Sequence, residues 1–408
     1  MSNTLLTIDM VTRESLRVAH EACQFIGTVD RQYDDSFGKT GAKIGTALRV
    51  RKANRYTRTQ GSRVMDVQEQ AEEATSITLA TQDHVDMRFN SAELALSIDE
   101  FSKRYIEPAV KVLVSGIESD FIAYATKATY NVAGTAGTAL TDLGPFGTAR
   151  ALMNQGLAPK DDQRALQIDS VTMGGMVNGL KGLFQDSNQI KTQYREGLIG
   201  RTSGFDWYEN ERMWTLTNGS DVTCTLASSA GVTNGGTSIT MASLAAAPAV
   251  GAVFTIPGVY AVHPETKAPL GRLQQFTIVS GSTTVQTISP AIWLTGAKKN
   301  VGTSAGADLA TTYFDSTSLV PVFVGAASTS YLQQLAYHKE AFQFVTADLP
   351  LMGDAETCVR RVQDGLSMRV WKDSDIRNDE MLMRIDILYG MAALRPEWAS
   401  RIVGAASA

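Results

Sequence analysis

The sequence predicts an α+β fold that carries an inserted β domain, and three observations support this. Apolar residues recur at helical spacing, most clearly over residues 108–130. Short runs that alternate apolar and polar residues indicate strands on both sides of that helix. Over residues 222–297 only Glu265, Lys267 and Arg272 are charged, and Thr, Ser, Val and Gly dominate. A β-only block between two mixed blocks is typical of an insertion.

Length and composition set the class of protein to expect. At 408 residues the chain is long for one domain, so two packed units are expected. The net charge of −5 argues against a nucleic-acid-binding module, although it says nothing against DNA enclosed as cargo. Cys23, Cys224 and Cys358 lie far apart, so neither a zinc site nor a disulfide framework is expected, and a reducing cytoplasm fits. The opening MSNTLLTIDM has no signal-peptide pattern.

The first predicted element is an amphipathic helix that begins at Thr12 as its N-cap and ends before Gly27. Its apolar residues recur at steps of three and four, and they are Leu16, Ala19, Cys23 and Ile26. Such a stripe must be buried. It docks either on a neighbouring subunit, as an N-terminal arm, or on its own chain, and the sequence leaves both alternatives open.

A segment of one charge sign follows the helix. Residues 36–65 hold eight basic side chains and no acidic one, and the basic residues are Lys39, Lys43, Arg49, Arg51, Lys52, Arg55, Arg58 and Arg63. The sign then reverses at Asp66, Glu69, Glu72 and Glu73. Leu48 and Val50 alternate with Arg49 and Arg51, as on a strand with one wet face.

A long hairpin with a basic half and an acidic half suits docking on a like neighbour, because opposite charges then meet. The alternative is a solvated loop with an accidental charge run. A nucleic-acid patch is disfavoured, since only Tyr56 lies among the basic residues to stack on a base. A second alternating run, Val85 to Phe89, predicts another strand.

Helical and strand patterns alternate through the middle of the chain. A capping-box pattern from Ser97 to Glu100 precedes the longest helix, expected from about Pro108 to Tyr130. Its apolar stripe is Val110, Leu113, Val114, Ile117, Phe121, Ala125 and Ala128. Residues 148–183 then read as helix (ARALMNQG), strand (ALQIDS) and helix (VTMGGMVNGLKGLF), without a regular doubly wound period.

The last third is predicted to be mostly strands. Pro and Gly interrupt the uncharged stretch over residues 244–262, so it predicts short strands and no membrane partner is expected. Helical character is expected to resume near Tyr331. The runs LSMRVW and MLMRIDILYG, the second ending at Gly390, predict two further strands.

No constellation of residues predicts catalysis. Asp83, His84 and Asp86 lie on an alternating strand, whose side chains point to opposite faces. His20 and Cys23 have no third partner, so Cys23 is expected in the core, and His338 and Glu340 do not face each other on a helix. The run GLIGRTSG lacks the Lys-Ser/Thr of a phosphate-binding loop. We therefore expect no catalytic residue, no cofactor and no metal ion.

Three stretches resemble the coat proteins of tailed double-stranded-DNA bacteriophages. They are GLIGRTSGFDWY (197–208), LAYHKEAFQFVTADL (335–349) and YGMAALRPE (389–397), and the opening run FIGTVDRQYDDSFGKTGAKIGTALRVRKANRY also matches. The third stretch is similar to the ending of coat proteins from short-tailed, scaffold-assembled phages. These stretches lie on both sides of residues 219–312, in the order expected for such coat proteins.

The resemblance implies the tailed-phage capsid fold, which has an N-terminal arm, an extended loop hairpin, a spine helix with a peripheral sheet, and an axial domain with an inserted β-barrel-like domain. The expected division is 1–35 (arm), 36–90 (extended loop hairpin), 91–147 (peripheral domain with spine helix), 148–218 (axial domain, first part), 219–312 (inserted β domain), 313–365 (axial domain, second part) and 366–408 (peripheral strands and C-terminus).

The resemblance also implies the function: a self-assembling major capsid protein, not an enzyme, that forms the icosahedral shell of the virion around packaged DNA. Pentamers and hexamers of the chain, a portal protein at one vertex, DNA as non-specific cargo and assembly in the host cytoplasm are expected. Because the chain begins at the arm without a charged helical leader, a separate scaffolding protein is also expected. Tail-tube or decoration proteins, and less so a hydrolase, are the alternatives.

The expected inter-subunit contacts come from the charged hairpin. The basic side is assigned to Arg49, Arg51, Lys52 and Arg55, and the acidic side to Glu69, Glu72 and Glu73.

Overall fold

A computed structural model describes residues 8–34, 47–61, 65, 67–68, 74–90, 102–180, 200–353, 357–363, 365–375 and 380–406. The chain divides into two compact units. The first comprises residues 1–50, 74–121 and 342–394, and the second comprises residues 51–73, 122–341 and 395–408. Two units agree with what the length of the chain predicts.

The helices are α1 (Ile8–Ala22), α2 (Phe25–Thr28), α3 (Glu107–Ala128), α4 (Gly144–Gln155) and α5 (Ser170–Leu180). A π-helical turn, Ser102–Ile106, leads into α3, and 3₁₀ turns lie at Thr311–Tyr313, Lys339–Ala341 and Pro396–Trp398. No helix in the described ranges is long and apolar enough to span a bilayer.

The strands of the first unit form two sheets. They are β1 (Asp30–Asp34), β2 (Ala47–Arg51, whose last residue counts with the second unit), β3 (Ala74–Thr78), β4 (Thr81–Asn90), β18 (Phe342–Ala347), β19 (Thr357–Gln363), β20 (Leu366–Asp375) and β21 (Glu380–Ala393). One sheet has the order β1-β18-β21-β20-β19, with β4 also paired to β21, and β2 pairs with β3 alone. Only the β1–β18 pairing is parallel in the six-stranded sheet.

The second unit holds two seven-stranded sheets. The strands outside the insertion are β5 (Val132–Ala133), β6 (Arg164–Ile168), β7 (Arg201–Thr202), β8 (Phe205–Glu209), β9 (Thr215–Thr217), β17 (Ser330–His338) and β22 (Ala399–Ala406). They follow the order β5-β22-β17-β6-β8-β7, with β9 added to β17.

The inserted sheet contains β10 (Thr225–Leu226), β11 (Gly236–Ala242), β12 (Val253–Val262), β13 (Pro269–Gly281), β14 (Val285–Ile292), β15 (Val301–Gly302) and β16 (Val322–Phe323). Its order is β10-β11-β14-β13-β12-β15, and β16 pairs with β12. It has its own apolar core, in which Phe254, Phe276 and Ile278 are fully buried. The β character expected from the low charge of this region, and the strand reading of residues 244–262, are confirmed.

Helix α3 confirms the predicted long helix. Its predicted stripe is buried from Val110 to Ala125, and only Ala128 is half-buried. Within the first unit, the buried carboxylate of Glu118 on α3 accepts hydrogen bonds from the backbone N–H groups of Gln24 (2.7 Å) and Phe25. These N–H groups lie at the N-terminus of α2, where no intrahelical acceptor is available to them. The carboxylate of Glu118 supplies that acceptor.

Helix α1 packs on strands β19 and β20 of its own chain. Of the two alternatives for the apolar stripe of this helix, the structure therefore shows the second, in which the stripe packs on its own chain. Thr12 lies inside α1, which begins at Ile8, so its prediction as the N-cap is wrong. Cys23 follows the helix and is half-buried. The predicted capping box from Ser97 to Glu100 lies outside the described residues.

The prediction of helix near Tyr331 is wrong. Residues Ser330–His338 form β17, which pairs with β22, β6 and β9. Neighbouring strands therefore satisfy its backbone groups on both edges, and most of its side chains are buried on both faces. The predicted strands LSMRVW and MLMRIDILYG are confirmed as β20 and β21, although β21 continues past Gly390 to Ala393.

A buried ion pair crosses from β20 to β21. Asp386 is fully buried and Arg369 almost so. The guanidinium of Arg369 donates to both carboxylate oxygens, with Nε 3.0 Å from Oδ1, and Gln82 Nε2 donates to Oδ2 at 2.9 Å. All of these partners lie in the first unit.

We expect Asp386→Asn to lower the free energy of unfolding by about 3 kcal/mol, because it leaves the buried Arg369 charge without a counter-ion. The matched control is Asp86→Asn. Asp86 makes a similar two-pronged pair with Arg384 (Nε to Oδ1, 2.6 Å), but that pair is exposed, so its loss should cost less than about 1 kcal/mol. Urea titration of the unassembled subunit measures both. Equal losses in the two variants would contradict the expectation.

Cys224 is expected to resist thiol reagents while the inserted sheet is folded. It is buried beside Met241, and burial, with a smaller effect of Asp221, raises the pKa of its thiol to about 11. At pH 8 only about one thiol in a thousand is then the reactive thiolate. Mass spectrometry after timed labelling should show Cys23 and Cys358, both half-buried, modified first. Modification of Cys224 at the same rate would show that this sheet opens under native conditions.

Candidate assembly surface

The hairpin of β2 and β3 has an inner apolar face and an outer charged face. Val50 packs against a cluster that contains the fully buried Ile77 and Leu79. Arg49 and Arg51 flank Val50 in the strand and are exposed. Successive strand residues point to opposite faces, so burial of Val50 turns both guanidinium groups outward. The predicted strand over residues 48–51 is confirmed as part of β2, with Val50 inward and Arg49 and Arg51 outward.

Beyond the strands, the hairpin continues as an exposed extension. Thr57 N donates to Gln68 Oε1 (2.8 Å), and Gln68 Nε2 donates back to Thr57 O (2.6 Å). These two bonds hold residues eleven positions apart across the hairpin. Tyr56 is exposed. The extension is therefore fixed near its middle and open to contact.

The predicted contact residues occupy different settings. Arg49, Arg51 and Arg55 are exposed, and Lys52 is half-buried. Arg55 Nη2 lies 3.7 Å from Glu397 Oε1 in the second unit. Arg49 and Arg51 are brought together on one face of β2, whereas Arg55 is directed to its own chain. Glu69, Glu72 and Glu73 lie outside the described residues.

Strand β3 approaches β21 closely at Gly390. A Cβ atom at Gly390 would lie 2.7 Å from Thr78 O and 3.2 Å from the side chain of Leu79. Only a residue without a side chain admits this approach, which anchors the hairpin on the six-stranded sheet. Sequence reasoning assigned Gly390 only the end of a strand. The signal was its place in the Tyr-Gly part of the third coat-protein stretch.

The neighbouring Tyr389 ties β21 to β4. Its hydroxyl donates to Asp83 Oδ2 at 2.9 Å, and burial together with Asp83 raises the pKa of Tyr389. On the other face of β4, His84 Nδ1 lies 3.1 Å from Asp86 Oδ2. The expectation that these residues point to opposite faces is right for Asp83 but wrong for His84 and Asp86. A hydrogen bond from Arg384 lowers the pKa of Asp86.

The second coat-protein stretch contains a buried histidine. His338 Nδ1 accepts from Glu340 N–H (3.3 Å), so Nε2 carries the proton and donates to Asp161 Oδ1 at 3.1 Å. The ring also meets Trp398 edge to face, with centroids 5.4 Å apart. His338 and Glu340 therefore do not share a helix face, as expected, but the reason is a strand that ends in a 3₁₀ turn. The histidine joins parts of the second unit.

Residues 200–208, the described part of the first coat-protein stretch, contain a turn. Gly204 (φ +81°) lies between β7 and β8 against the guanidinium of Arg150, and Arg201 pairs with Asp162 (2.9 Å) and Asp206 (3.3 Å). Its side chains thus hold a β-turn in place, and the run is part of the fold. Among the described residues, no group of three or more His, Cys, Asp or Glu could hold a metal ion.

A family match decides the class of protein. Residues 70–404 match the family model described as "P22 coat protein - gene protein 5". The match covers well over half of the chain. The chain belongs to the P22 coat protein family. It is a structural major capsid protein of a tailed phage, it forms the shell, and its fold is the tailed-phage capsid fold. The tail-tube and decoration alternatives are thereby wrong.

Solved structures are similar to this coat protein at low identity. "Mycobacterium phage Che8" is 10% identical with a TM-score of 0.43, covering 91% of this chain and 88% of that chain. The "Asymmetric unit of bacteriophage PhiM1 mature capsid" is 9% identical with a TM-score of 0.44, covering 93% and 87%. The "Capsid of native GTA particle computed with C5 symmetry" is 9% identical with a TM-score of 0.42, covering 99% and 93%. No curated protein sequence matches the chain.

Gly390→Ala is expected to loosen the hairpin from its sheet. The added methyl group would overlap Thr78 O, so β3 must shift, at a cost of about 1–3 kcal/mol in the free energy of unfolding. Gly27→Ala is the control, because a Cβ there meets no atom within 4 Å. Hydrogen exchange of the β3 amides, with urea titration, measures the effect. Unchanged protection of β3 in Gly390→Ala would contradict the close approach.

Proposed function

We propose that the hairpin of β2 and β3 docks on a neighbouring subunit and that copies of the chain join in pentamers and hexamers. The observation that carries this proposal is the outward pair Arg49 and Arg51 on a strand whose inner face is anchored through Val50. Two positive charges held in a fixed direction select a complementary partner surface better than charges on flexible side chains do. Rings of identical subunits require head-to-tail contacts, in which one surface meets a different surface of the next copy.

The acidic half of the hairpin supplies the complementary charge. Asp66, Glu69, Glu72 and Glu73 follow the basic run in the sequence, so each copy carries both signs. An exposed ion pair contributes only about 0–1 kcal/mol. A closed shell makes many such contacts at once, so weak pairs suffice and errors can dissociate before closure.

We further propose the remaining partners and the place of assembly. A scaffolding protein guides the copies, a portal protein occupies one vertex, and packaged double-stranded DNA is non-specific cargo. The net charge of −5 supports loose enclosure of DNA, because tight binding to a phosphate backbone needs a basic excess. The product is the virion capsid, assembled in the cytoplasm of the bacterial host.

The role is proposed to be structural and not catalytic. Several polar side chains of the three coat-protein stretches make intramolecular contacts. His338 binds Asp161, and Tyr389 binds Asp83. These contacts hold strands and turns together, which suits a shell subunit and leaves these groups engaged within the fold.

The double variant Arg49→Glu/Arg51→Glu is expected to block shell formation and to leave a folded monomer, because both side chains are exposed. The subunit is co-expressed with its scaffolding protein. Negative-stain microscopy counts closed particles, and circular dichroism reports folding.

Two matched variants test the sign of the charge. Arg49→Lys/Arg51→Lys keeps both charges and should still give closed particles. Adding Glu72→Lys/Glu73→Lys to the double Glu variant should restore particles if the acidic half is the partner. Normal shells from Arg49→Glu/Arg51→Glu alone would refute the docking role of these residues.

A further inference from the structure

The second unit contains a cavity of about 430 Å³ at the base of the hairpin. Residues 52–55 of the hairpin form one wall, and the end of α4 forms another. Tyr130, Asn131, the inserted sheet and residues 395–397 complete the lining. Cavities of this size are typical of small-ligand sites. Segments that are distant in the sequence meet here, and the pair of Arg55 and Glu397 described above lies in this lining.

The lining carries a strong excess of positive charge. Among the described residues of the lining, the basic side chains are Lys52, Arg55, Arg272, Lys298 and Arg395, and the one carboxylate is Glu397. Glu397 already lies 3.7 Å from Arg55, so its charge is partly engaged. In a partly enclosed cavity such charges are screened less than at the surface. The cavity is therefore suited to an anion.

Arg272 supplies the more specific observation. Its Nε donates to Gln155 Oε1 at 2.7 Å. Its Nη1 is buried without a hydrogen-bond partner among the described residues. A buried donor without an acceptor is costly, and a cationic donor more so. Guanidinium groups bind phosphate and carboxylate oxygens through paired N–H groups, so the arginines of the lining suit an oxyanion.

Trp293, one of the two aromatic side chains of the lining beside Tyr130, is already in contact with neighbouring groups. Lys298 Nζ lies over the Trp293 ring, 5.0 Å from its centroid. A Cβ atom at Gly235 would lie 2.7 Å from that ring, so the backbone of Gly235 packs closely against it. Stacking of a nucleobase needs an open ring face, and Lys298 covers one face of Trp293. The basic lining favours a compact, multiply charged anion.

A neighbouring lysine supports the positive character of this region. Lys267 Nζ donates to the carbonyl oxygens of Pro264 (2.7 Å) and Ala297 (2.5 Å), both of them neutral. Burial, followed by the charges of Arg55 and Lys299, lowers the pKa of Lys267 to about 8. An anion in the adjacent cavity would oppose those charges and raise the pKa of Lys267 again.

We propose that this cavity is a phosphate-binding site, with Arg272 and Arg395 as its principal ligands. A phosphate group carries more charge than a carboxylate and so offsets more of the surplus of basic groups. Arg395 is held for this role by stacking on Trp398, with its guanidinium carbon 4.2 Å from the ring centroid. The phosphate comes either from a free polyphosphate or from the backbone of the enclosed DNA.

The test is calorimetric titration of the unassembled full-length subunit with inorganic pyrophosphate at constant ionic strength. Arg272→Met and Arg395→Gln should each weaken binding at least about tenfold, because each removes a charged donor to the anion. Arg201→Gln is the control, since Arg201 is a paired arginine outside the cavity lining and its loss should not change binding. Circular dichroism establishes that each variant is folded, and Arg395→Gln serves if Arg272→Met is not.

Competition identifies the source of the phosphate. A DNA duplex of arbitrary sequence that displaces pyrophosphate from the wild type assigns the site to the DNA backbone, whereas failure to displace it assigns the site to a free polyphosphate. The proposal is overturned if pyrophosphate does not bind at millimolar concentration, or if Arg272→Met and Arg395→Gln bind it as the wild type does. It is also overturned if a peptide of residues 62–76 displaces pyrophosphate and binds more tightly with the same dependence on Arg272, because the occupant is then an acidic segment of a neighbouring copy.

Discussion

The second unit depends on one buried guanidinium, that of Arg401. The side chain is fully buried, and every hydrogen-bond acceptor around it is a neutral oxygen. Its Nε donates to Thr129 O (2.6 Å), Nη1 to Gly251 O (2.6 Å), and Nη2 to Lys127 O (3.3 Å) and Thr277 Oγ1 (2.9 Å). Burial lowers the pKa of Arg401 to about 9. Its guanidinium group is stabilised by hydrogen bonds to these neutral oxygens and not by a carboxylate.

The partners of Arg401 explain its importance. Lys127 and Thr129 offer carbonyl groups at the end of α3, where the helix dipole favours a cation. Gly251 and Thr277 belong to the inserted region, and Arg401 itself lies on β22, between β5 and β17. One side chain thus joins the end of the long helix, the inserted sheet and the central sheet of this unit. The first unit also buries charged groups, but there Arg369 is paired with the carboxylate of Asp386, and the carboxylate of Glu118 accepts from backbone N–H groups.

Sequence patterns predicted the elements whose periodicity comes from one buried face. The stripe of α3, the alternation in β20 and the low charge of the inserted sheet are of this kind, because each pattern is local. Strand β17 was missed since it is buried on both faces and contains good helix formers, Gln, Leu and Ala, at helical spacing. Tertiary pairing on both edges overrides that local preference.

The residues at the assembly surface and in the cavity were predictable to different degrees. Arg49 and Arg51 follow from strand alternation next to a charge run. The cavity does not, because it is made by segments that are distant in the sequence. A partial signal existed: Lys267 and Arg272 are two of only three charged residues in residues 222–297, and both form specific buried or half-buried contacts. In a region with so few charged residues, those that are present are expected to make specific structural contacts.

The order of strands along the chain also governs when a subunit becomes able to polymerise. Asp30 on β1 hydrogen-bonds with Gln343 on β18, 313 residues away, and β3 is anchored at Gly390 on β21. A ribosome must therefore translate past residue 390 before the six-stranded sheet can close beneath the hairpin. Under the docking role proposed above, chains on one polysome that have not reached residue 390 present no anchored hairpin to each other. The topology then restricts docking to subunits in which this sheet has formed.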